Sequence, residues 1–172
     1  GQLPEAETLT SSGAFANFCF GQGELLATPI QIAAMMNTIA AGGIWREPLF
    51  LECTLDETTG EPLTALAHRS ARRVFSAQTA RALRELLASV VTEGTGHEAA
   101  PTESTAAGKT GTAQTGQFAA GKELKNYWFA GFYPARNPRY TIVVLQDGQT
   151  GPSRTSAAIF ARVCDALDAA GE

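Results

Sequence analysis

Hydrophobic residues recur every three or four positions in two stretches of the chain, which is the spacing of a helix with one buried face. The first stretch follows Ser76, a predicted N-cap, and ends at Gly94. Within it, Arg81 and Glu85 are spaced to pair on the solvent side. The second stretch covers Ser156 to Leu167. Both are predicted to be amphipathic helices that pack on a core.

A third helix is predicted mainly from its start signals. Thr28 stands where an N-cap is expected, Pro29 suits the first helical position, and Gln31 completes a capping box. Two glycines follow Ala41, where we expect the helix to end. Because its residues are apolar on nearly every side, the helix is predicted to be buried.

Alternation with a period of two predicts strands in the first half of the chain. Leu49 to Leu55 alternates as a half-buried strand, Thr58 to Gly60 contains turn residues, and Pro62 to Leu66 is a weaker returning strand. The segment from Gly1 to Phe20 has the composition of a loop.

The second half of the chain reads as an antiparallel meander. A strand around Lys109 precedes a flexible loop from Thr115 to Lys125, and two further strands follow at Asn126 to Tyr133 and Tyr140 to Gln146. With the helices, these strands predict an α+β fold of the α/β sandwich type, in which helices flank an antiparallel sheet.

Length and composition fit one globular domain, since the chain has 172 residues of which 44% are hydrophobic. A net charge of −4 and 13 scattered Lys and Arg argue against a nucleic-acid surface. The densest basic group, Arg69, Arg72 and Arg73, is typical of a solvated turn. The longest apolar run, Ile30 to Ala41, is too short to cross a bilayer, and no signal peptide is visible.

The cysteines and histidines do not form a recognisable metal or redox motif. Cys19, Cys53 and Cys164 are far apart with apolar neighbours, so we expect buried free thiols. His68 and His97 stand alone in polar segments, which gives little support to a zinc site or a Ser-His-Asp triad. No metal and no cofactor are predicted.

One short segment suits the binding of an extended peptide. Strand alternation sends Lys109 and Gly111 to one face, and Thr110 and Thr112 to the other. Gly111 has no side chain to obstruct a ligand, so the backbone can pair with an added strand while the hydroxyls hold a carboxylate. Taken alone, Lys109-Thr110-Gly111 also fits an ordinary edge strand with polar side chains.

Short motifs elsewhere in the chain decide between these interpretations. In order they are Gly21-Gln22-Gly23, Thr28-Pro29-Ile30-Gln31-Ile32-Ala33, Ile39-Ala40-Ala41-Gly42-Gly43, Gly94-Thr95-Gly96, Lys109-Thr110-Gly111-Thr112-Ala113-Gln114 and Trp128-Phe129-Ala130-Gly131-Phe132. The series resembles the transpeptidase domain of a class B penicillin-binding protein over nearly all of the chain. Lys-Thr-Gly is a motif that these proteins share with serine β-lactamases.

The resemblance implies a peptidoglycan D,D-transpeptidase, which cross-links stem peptides through a serine acyl-enzyme and is acylated by β-lactams. It also implies a partial penicillin-binding protein and serine β-lactamase-like fold. The expected ligands are a D-Ala-D-Ala stem peptide and β-lactams, and the expected partners are cell-wall synthesis proteins such as a glycosyltransferase. The location implied is the extracytoplasmic face of a bacterial cytoplasmic membrane.

The chain departs from the family pattern at the nucleophile. No serine is followed by Lys three residues later, and no Ser-x-Asn occurs. The nearest case is Ser70 with Arg73, whose guanidinium cannot act as a base. The resemblance therefore implies that residues 1–172 are the C-terminal portion of a transpeptidase domain, without its Ser-x-x-Lys and Ser-x-Asn segments and inactive alone.

The family's roles transfer to this sequence by motif. Lys109 is expected to supply positive charge to the serine and the carboxylate, and the Thr112 N–H to form half of an oxyanion hole. The Thr110 and Thr112 hydroxyls are expected to bind the carboxylate, and Gly111 to permit close approach. Lys109 and Thr112 are thus the candidate catalytic residues, with Thr110, Gly111 and Thr112 binding substrate.

Other interpretations stay open at this point. A non-catalytic binding or scaffold module, or a β-lactamase or β-lactam sensor, would share the fold. Trp128 and Phe129 fit either substrate-stacking aromatics or core residues, of which core is favoured. The family fold pairs the strand at residues 140–146 with an N-terminal strand absent here, so we expect self-association through this exposed strand or its partial coverage by a rearranged segment.

Overall fold

A computed structural model describes residues 1–51, 53–65, 70–151 and 154–171. The helices are α1 (Ser12–Cys19), α2 (Pro29–Ala40), α3 (Ala77–Thr92) and α4 (Arg154–Ala169). The strands are β1 (Ile44–Arg46), β2 (Cys53–Leu55), β3 (Pro62–Ala65), β4 (Ala71–Arg73), β5 (Ala107–Ala119), β6 (Lys122–Tyr133) and β7 (Tyr140–Gln149). Short 3-10 helices cover Ala6–Thr10 and His97–Ala99.

The main sheet is an antiparallel meander with the strand order β5-β6-β7. Lys109 lies opposite Ala130 in the first pair, and Trp128 lies opposite Leu145 in the second. The predicted α+β class and the meander are confirmed. Two small two-stranded sheets, β1 with β4 and β2 with β3, lie apart from it.

Helices cover both faces of this sheet because side chains of β6 alternate between them. On one face Phe129 packs with Phe160 of α4, and their ring centroids are 4.7 Å apart. On the other face Phe132 packs with Met36 and Ile39 of α2. The sheet is therefore the middle layer of a helix-sheet-helix sandwich.

The start signals of two helices are confirmed in atomic detail. Gln31 N donates to Thr28 Oγ1 over 3.4 Å, and Thr28 N donates to Gln31 Oε1 over 3.0 Å, which completes the capping box. Ser76 caps α3 by accepting from Thr79 N, and the predicted Arg81–Glu85 ion pair is present at 3.0 Å.

The burial predicted for the helices was too extensive. In α2, Ile30 is 40% exposed and Met35 is 51% exposed, so only one face of this apolar helix is covered. In α3, Leu86 is 63% exposed although it follows the apolar spacing. Apolar residues on a helix remain exposed to solvent where no other described element packs against that side of the helix.

Two predictions for the first half of the chain were wrong. Residues 12–19 form α1, which Ser11 caps by accepting from Ala14 N, where a loop was expected. The strand expected from Leu49 begins only at Cys53, because residues 49–51 are exposed and not paired in a sheet. The predicted turn and returning strand are present up to Ala65, while Glu52 and Leu66 lie outside the described residues.

The loop predicted from Thr115 to Lys125 is instead a hairpin. Strands β5 and β6 continue to Ala119 and from Lys122, leaving a two-residue connection. Ala120 and Gly121 both have positive φ, 49° and 76°, as a tight hairpin turn requires. An Ala-Gly pair lacks the usual Asn-Gly or Asp-Gly signature, so the turn was not recognisable.

The expectation of buried thiols holds only for Cys164. Cys19 is exposed and Cys53 is half-buried, and all three are free. Burial raises the pKa of the Cys164 thiol to about 12. His97 lies on a 3-10 helix, whereas His68 and Arg69 lie outside the described residues.

The described segments contain no group of three or more His, Cys, Asp and Glu that could hold a metal ion. In the same segments no helix is both long enough and apolar enough to span a membrane.

Candidate peptide-binding site

Strand β5 forms one border of the main sheet, and its Lys-Thr-Gly segment is open to solvent. Among the described residues only β6 pairs with it, and Lys109 and Thr112 are exposed. Thr110 and Gly111 are half-buried. The four predicted site residues therefore lie together on an accessible strand edge.

The open side of β5 presents the backbone groups of alternate residues. The carbonyl oxygens of Thr110 and Thr112 each accept a hydrogen bond from a side chain, Lys109 and Gln22 respectively. In an antiparallel strand the N–H and C=O of one residue point in the same direction. Thr110 and Thr112 therefore direct both their donors and their acceptors away from the sheet.

Lys109 places a positive charge beside this edge. Its Nζ donates to the Thr110 carbonyl over 3.1 Å and to Thr110 Oγ1 over 3.2 Å. The register puts Lys109 and Thr110 on opposite faces, as expected from alternation. The long lysine side chain thus bends around the strand edge, and its ammonium meets the hydroxyl of the next residue.

The two threonine hydroxyls differ in their surroundings. Thr110 Oγ1 lies 3.3 Å from Thr95 Oγ1, which belongs to the loop after α3. The Thr112 hydroxyl is exposed and has no hydrogen-bond partner in the part of the chain that the structure describes. A carboxylate placed here would meet a lysine ammonium and two hydroxyls.

Gln22 contacts the site, although no role for it was predicted. Its Nε2 donates to the Thr112 carbonyl over 2.9 Å, although the two residues are 90 positions apart. Gln22 and Thr95 both stand between two glycines in motifs noted only for their resemblance. A polar residue flanked by glycines was the available signal, but sequence separation hides which strand it meets.

The glycines of β5 serve different purposes. A Cβ on Gly108 would lie 2.6 Å from the Phe129 ring and 2.7 Å from the Ala130 carbonyl, so the core requires glycine there. A Cβ on Gly111 would meet its nearest neighbour, Trp128 Cβ, at 3.4 Å, an ordinary contact. Packing thus explains Gly108 but does not demand a glycine at 111.

The two aromatic residues opposite this segment are separated by the sheet. Phe129 is fully buried against α4 and is a core residue, as favoured from the sequence. Trp128 is half-buried on the other face, opposite Gly111. Phe129 therefore cannot stack on a ligand without unfolding of the core.

The arrangement suits an extended peptide that ends in a carboxylate. Thr112 offers an outward N–H and C=O, which pair with one residue of an added strand. The Thr110 hydroxyl, with the Lys109 ammonium 3.2 Å from it, lies two residues further along on the same face as the Thr112 hydroxyl, where the free carboxylate would fall. Hydrogen bonds to a charged group are roughly twice as strong as neutral ones, so the carboxylate is the favoured anchor.

The family model of the penicillin-binding protein transpeptidase domain matches residues 1–165. Penicillin-binding protein PbpB of Mycolicibacterium smegmatis is 35% identical over 97% of this chain and 28% of its own length. Peptidoglycan D,D-transpeptidase FtsI of Escherichia coli is 33% identical over 86% of the chain and 24% of its own length. The chain thus spans only about a quarter of the length of these relatives.

Solved structures of the same kind superpose on the chain. Apo penicillin-binding protein 3 of Mycobacterium tuberculosis gives a TM-score of 0.84 at 31% identity, with 98% of this chain and 40% of that one covered. The imipenem acyl-enzyme complex of penicillin-binding protein A from the same organism gives 0.78 at 26% identity, with 92% and 35% covered.

Proposed function

Because the chain belongs to the transpeptidase-domain family of class B penicillin-binding proteins, we propose that it forms the Lys-Thr-Gly wall of a peptidoglycan D,D-transpeptidase. The observation that carries the proposal is the outward-facing edge of Thr110 and Thr112 beside the Lys109 ammonium. The proposed substrate is a stem peptide ending in D-Ala-D-Ala, and β-lactams are proposed to bind in its place.

The register of an added strand determines which part of the substrate lies opposite each residue of β5. An antiparallel partner residue opposite Thr112 gives its N–H to the Thr112 carbonyl and receives the Thr112 N–H on its own carbonyl. If that residue is the penultimate D-Ala, the chain direction carries the terminal D-Ala toward residue 110. Its carboxylate then reaches the Thr110 and Thr112 hydroxyls and the Lys109 ammonium.

The same pairing places the reactive carbonyl at an N–H donor. A serine oxygen attacks the carbonyl carbon of the penultimate D-Ala, and negative charge develops on the carbonyl oxygen. The Thr112 N–H stabilises that charge as half of an oxyanion hole. The peptide C–N bond then breaks, terminal D-Ala leaves with a proton, and the amine of a second stem attacks the acyl ester.

The attacking serine is proposed to come from another part of the same transpeptidase domain. No serine of this chain has a lysine three residues later. Residues 1–172 would then be the C-terminal portion of that domain, and inactive alone. The relatives' greater length is consistent with this division.

Labelling with a fluorescent penicillin tests the proposal. We expect the longer protein that contains this chain to be labelled covalently, and residues 1–172 alone to stay unlabelled. Lys109→Met in the longer protein should slow labelling at least tenfold, while Lys122→Met at the exposed hairpin tip should not. A longer protein that is correctly folded but stays unlabelled would contradict the proposed activity.

The opposite border of the sheet suggests self-association. Among the described residues β7 pairs only with β6, and residues 140–146 are all half-buried and mostly apolar. An edge of this kind is a template for another strand. We expect residues 1–172 to form dimers through β7, and light scattering that gives a monomer at high concentration would contradict this.

The cellular setting is proposed from the family alone. A peptidoglycan cross-linking enzyme works where its substrate is assembled, at the extracytoplasmic face of the bacterial cytoplasmic membrane. The expected protein partners are cell-wall synthesis enzymes such as a glycosyltransferase.

A further inference from the structure

Both outward carbonyls of the Lys-Thr-Gly segment are occupied by side-chain donors of the chain itself. Lys109 Nζ donates to the Thr110 carbonyl, and Gln22 Nε2 donates to the Thr112 carbonyl. The Lys109 contact is local, since it joins adjacent residues. The Gln22 contact brings a separate loop onto the strand edge.

The Gln22 loop has a backbone shape that places the Cα of Gln22 beside the strand edge and leaves its side chain free to turn. Gly21 and Gly23 have φ of 80° and 83°, a conformation that other residues rarely adopt. Gln22 N donates to Asn17 O over 2.9 Å, and Gly21 N donates to Phe18 O over 3.0 Å. The loop is thus tied to the end of α1, and the glutamine extends from it toward β5.

A peptide paired with β5 requires the acceptor that Gln22 now uses. The N–H of the residue opposite Thr112 must point at the Thr112 carbonyl. A carbonyl oxygen accepts two bonds, but the Thr112 carbonyl points away from the sheet, so the Gln22 amide bound to it lies on the open side of β5, where the peptide backbone would run. The two donors therefore compete for one place.

We propose that Gln22 is a displaceable stand-in for the substrate backbone, so that pairing of a peptide with Thr112 requires release of the Gln22 side chain. This inference rests on the proposed function, because it concerns the same strand edge. In the ligand-free state Gln22 satisfies an acceptor that would otherwise face water or another strand. On binding, the peptide N–H replaces the glutamine N–H, and Gln22 moves into solvent.

The competition has a consequence for affinity. Removing the Gln22 amide removes a bond that the peptide must break, while the peptide's own bond is unaffected. A net hydrogen bond of ordinary strength corresponds to a change of about threefold to tenfold in binding. A ligand too short to reach the Thr112 carbonyl with an N–H gains nothing from the change.

Two ligands and three variants test this with residues 1–172. Nα-acetyl-D-Ala-D-Ala has the N–H that would meet Thr112, whereas Nα-acetyl-D-Ala shares the carboxylate end but lacks that N–H. Their affinities are measured by titration of backbone amide NMR signals in wild type, Gln22→Ala and Gln22→Met. Gln78→Ala, an exposed glutamine in the first turn of α3, is the matched control.

We expect both Gln22 variants to bind Nα-acetyl-D-Ala-D-Ala about threefold to tenfold more tightly than wild type. Their affinity for Nα-acetyl-D-Ala should be unchanged, and Gln78→Ala should change neither. In wild type, the side-chain amide signals of Gln22 should move to solvent-exposed positions when the longer ligand saturates the site. Gln22→Met keeps the side-chain bulk and guards against a variant that fails to fold.

Three results would overturn the inference. If both ligands bind but the Gln22 variants bind the longer one with equal or lower affinity, Gln22 is not a competitor. If the Gln22 side-chain signals stay in place at saturation, the amide is not released. If neither ligand binds any variant, the proposed peptide site itself fails, and the inference fails with it.

Discussion

The ammonium of Lys109 lies 3.2 Å from the hydroxyl oxygen of Thr110, its neighbour on the opposite face of β5. This contact concentrates a cation and a hydroxyl at one point of the strand edge. In Lys109→Met the hydroxyl stays but the charge is lost, so binding of Nα-acetyl-D-Ala-D-Ala should weaken at least tenfold. NMR titration measures the effect, and Lys122→Met serves as the charge-matched control. Equal loss in both variants would point to a general charge effect and not to a site.

Glycine at position 108 is required by packing, which yields a stability prediction. The Cβ of Gly108→Ala would lie within 2.7 Å of both the Phe129 ring and the Ala130 carbonyl. We expect Gly108→Ala to lower the free energy of unfolding by about 1–3 kcal/mol, as measured by urea denaturation. Gly13→Ala is the control, since a Cβ there meets nothing within 4 Å, and it should be neutral or slightly stabilising. A Gly108→Ala protein as stable as wild type would show that β5 and β6 can move apart without cost.

The phenol of Tyr133 donates a hydrogen bond to the Asp168 carboxylate and so joins β6 to α4. Burial, together with this carboxylate, raises the pKa of Tyr133 to about 12 from an ordinary value of 10.0. Between these values the unfolded chain loses the phenolic proton while the folded chain keeps it. Because the unfolded state then binds fewer protons, stability should fall as pH rises from about 10 to about 12.

Substitution of Tyr133 by Phe separates this contribution from other groups. Tyr133→Phe should lower stability at pH 7 by about 1–2 kcal/mol, since Asp168 loses a donor. The variant should also show a shallower loss of stability above pH 10 than wild type, when both are followed by urea denaturation across the pH range. Parallel curves for the two proteins would show that Tyr133 does not titrate differently on folding.

The cysteines should differ strongly in reactivity. Cys164 is fully buried with a raised pKa, whereas Cys19 is exposed. Only the thiolate reacts with iodoacetamide, so at pH 8 the folded protein should be alkylated at Cys19 and not at Cys164. Mass spectrometry locates the modification, and denatured protein should react at all three cysteines. Rapid alkylation of native Cys164 would mean that α4 is not docked on the sheet.

Local signals explain which parts of the fold were predictable. Thr28 and Ser76 specify helix starts through their own side chains, so α2 and α3 were located within a residue or two. The meander followed from an aromatic run at residues 126–133, an apolar run at 142–145 and the proline-containing turn between them. In contrast, α1 lacks an apolar repeat long enough to stand out, and the paired strands β1 and β4 have only three residues each.

The candidate site was likewise predictable only where its residues are contiguous in the sequence. The residues from Lys109 to Thr112 form one continuous motif, and strand alternation alone predicts which face of the sheet each side chain lies on. The partners Gln22 and Thr95 come from separate loops, and their contacts depend on where the loops after α1 and α3 lie relative to β5. No spacing rule carries that information, because it arises from tertiary packing.

The central claim is that the edge of β5 at Thr112 pairs with a peptide ending in a carboxylate, and backbone amide NMR of residues 1–172 with Nα-acetyl-D-Ala-D-Ala tests it most directly. The predicted result is that the Thr110 and Thr112 amide signals move most, while those of β7 stay unchanged. Saturable shifts centred on β7 or α4, with Thr110 and Thr112 unmoved, would contradict the account.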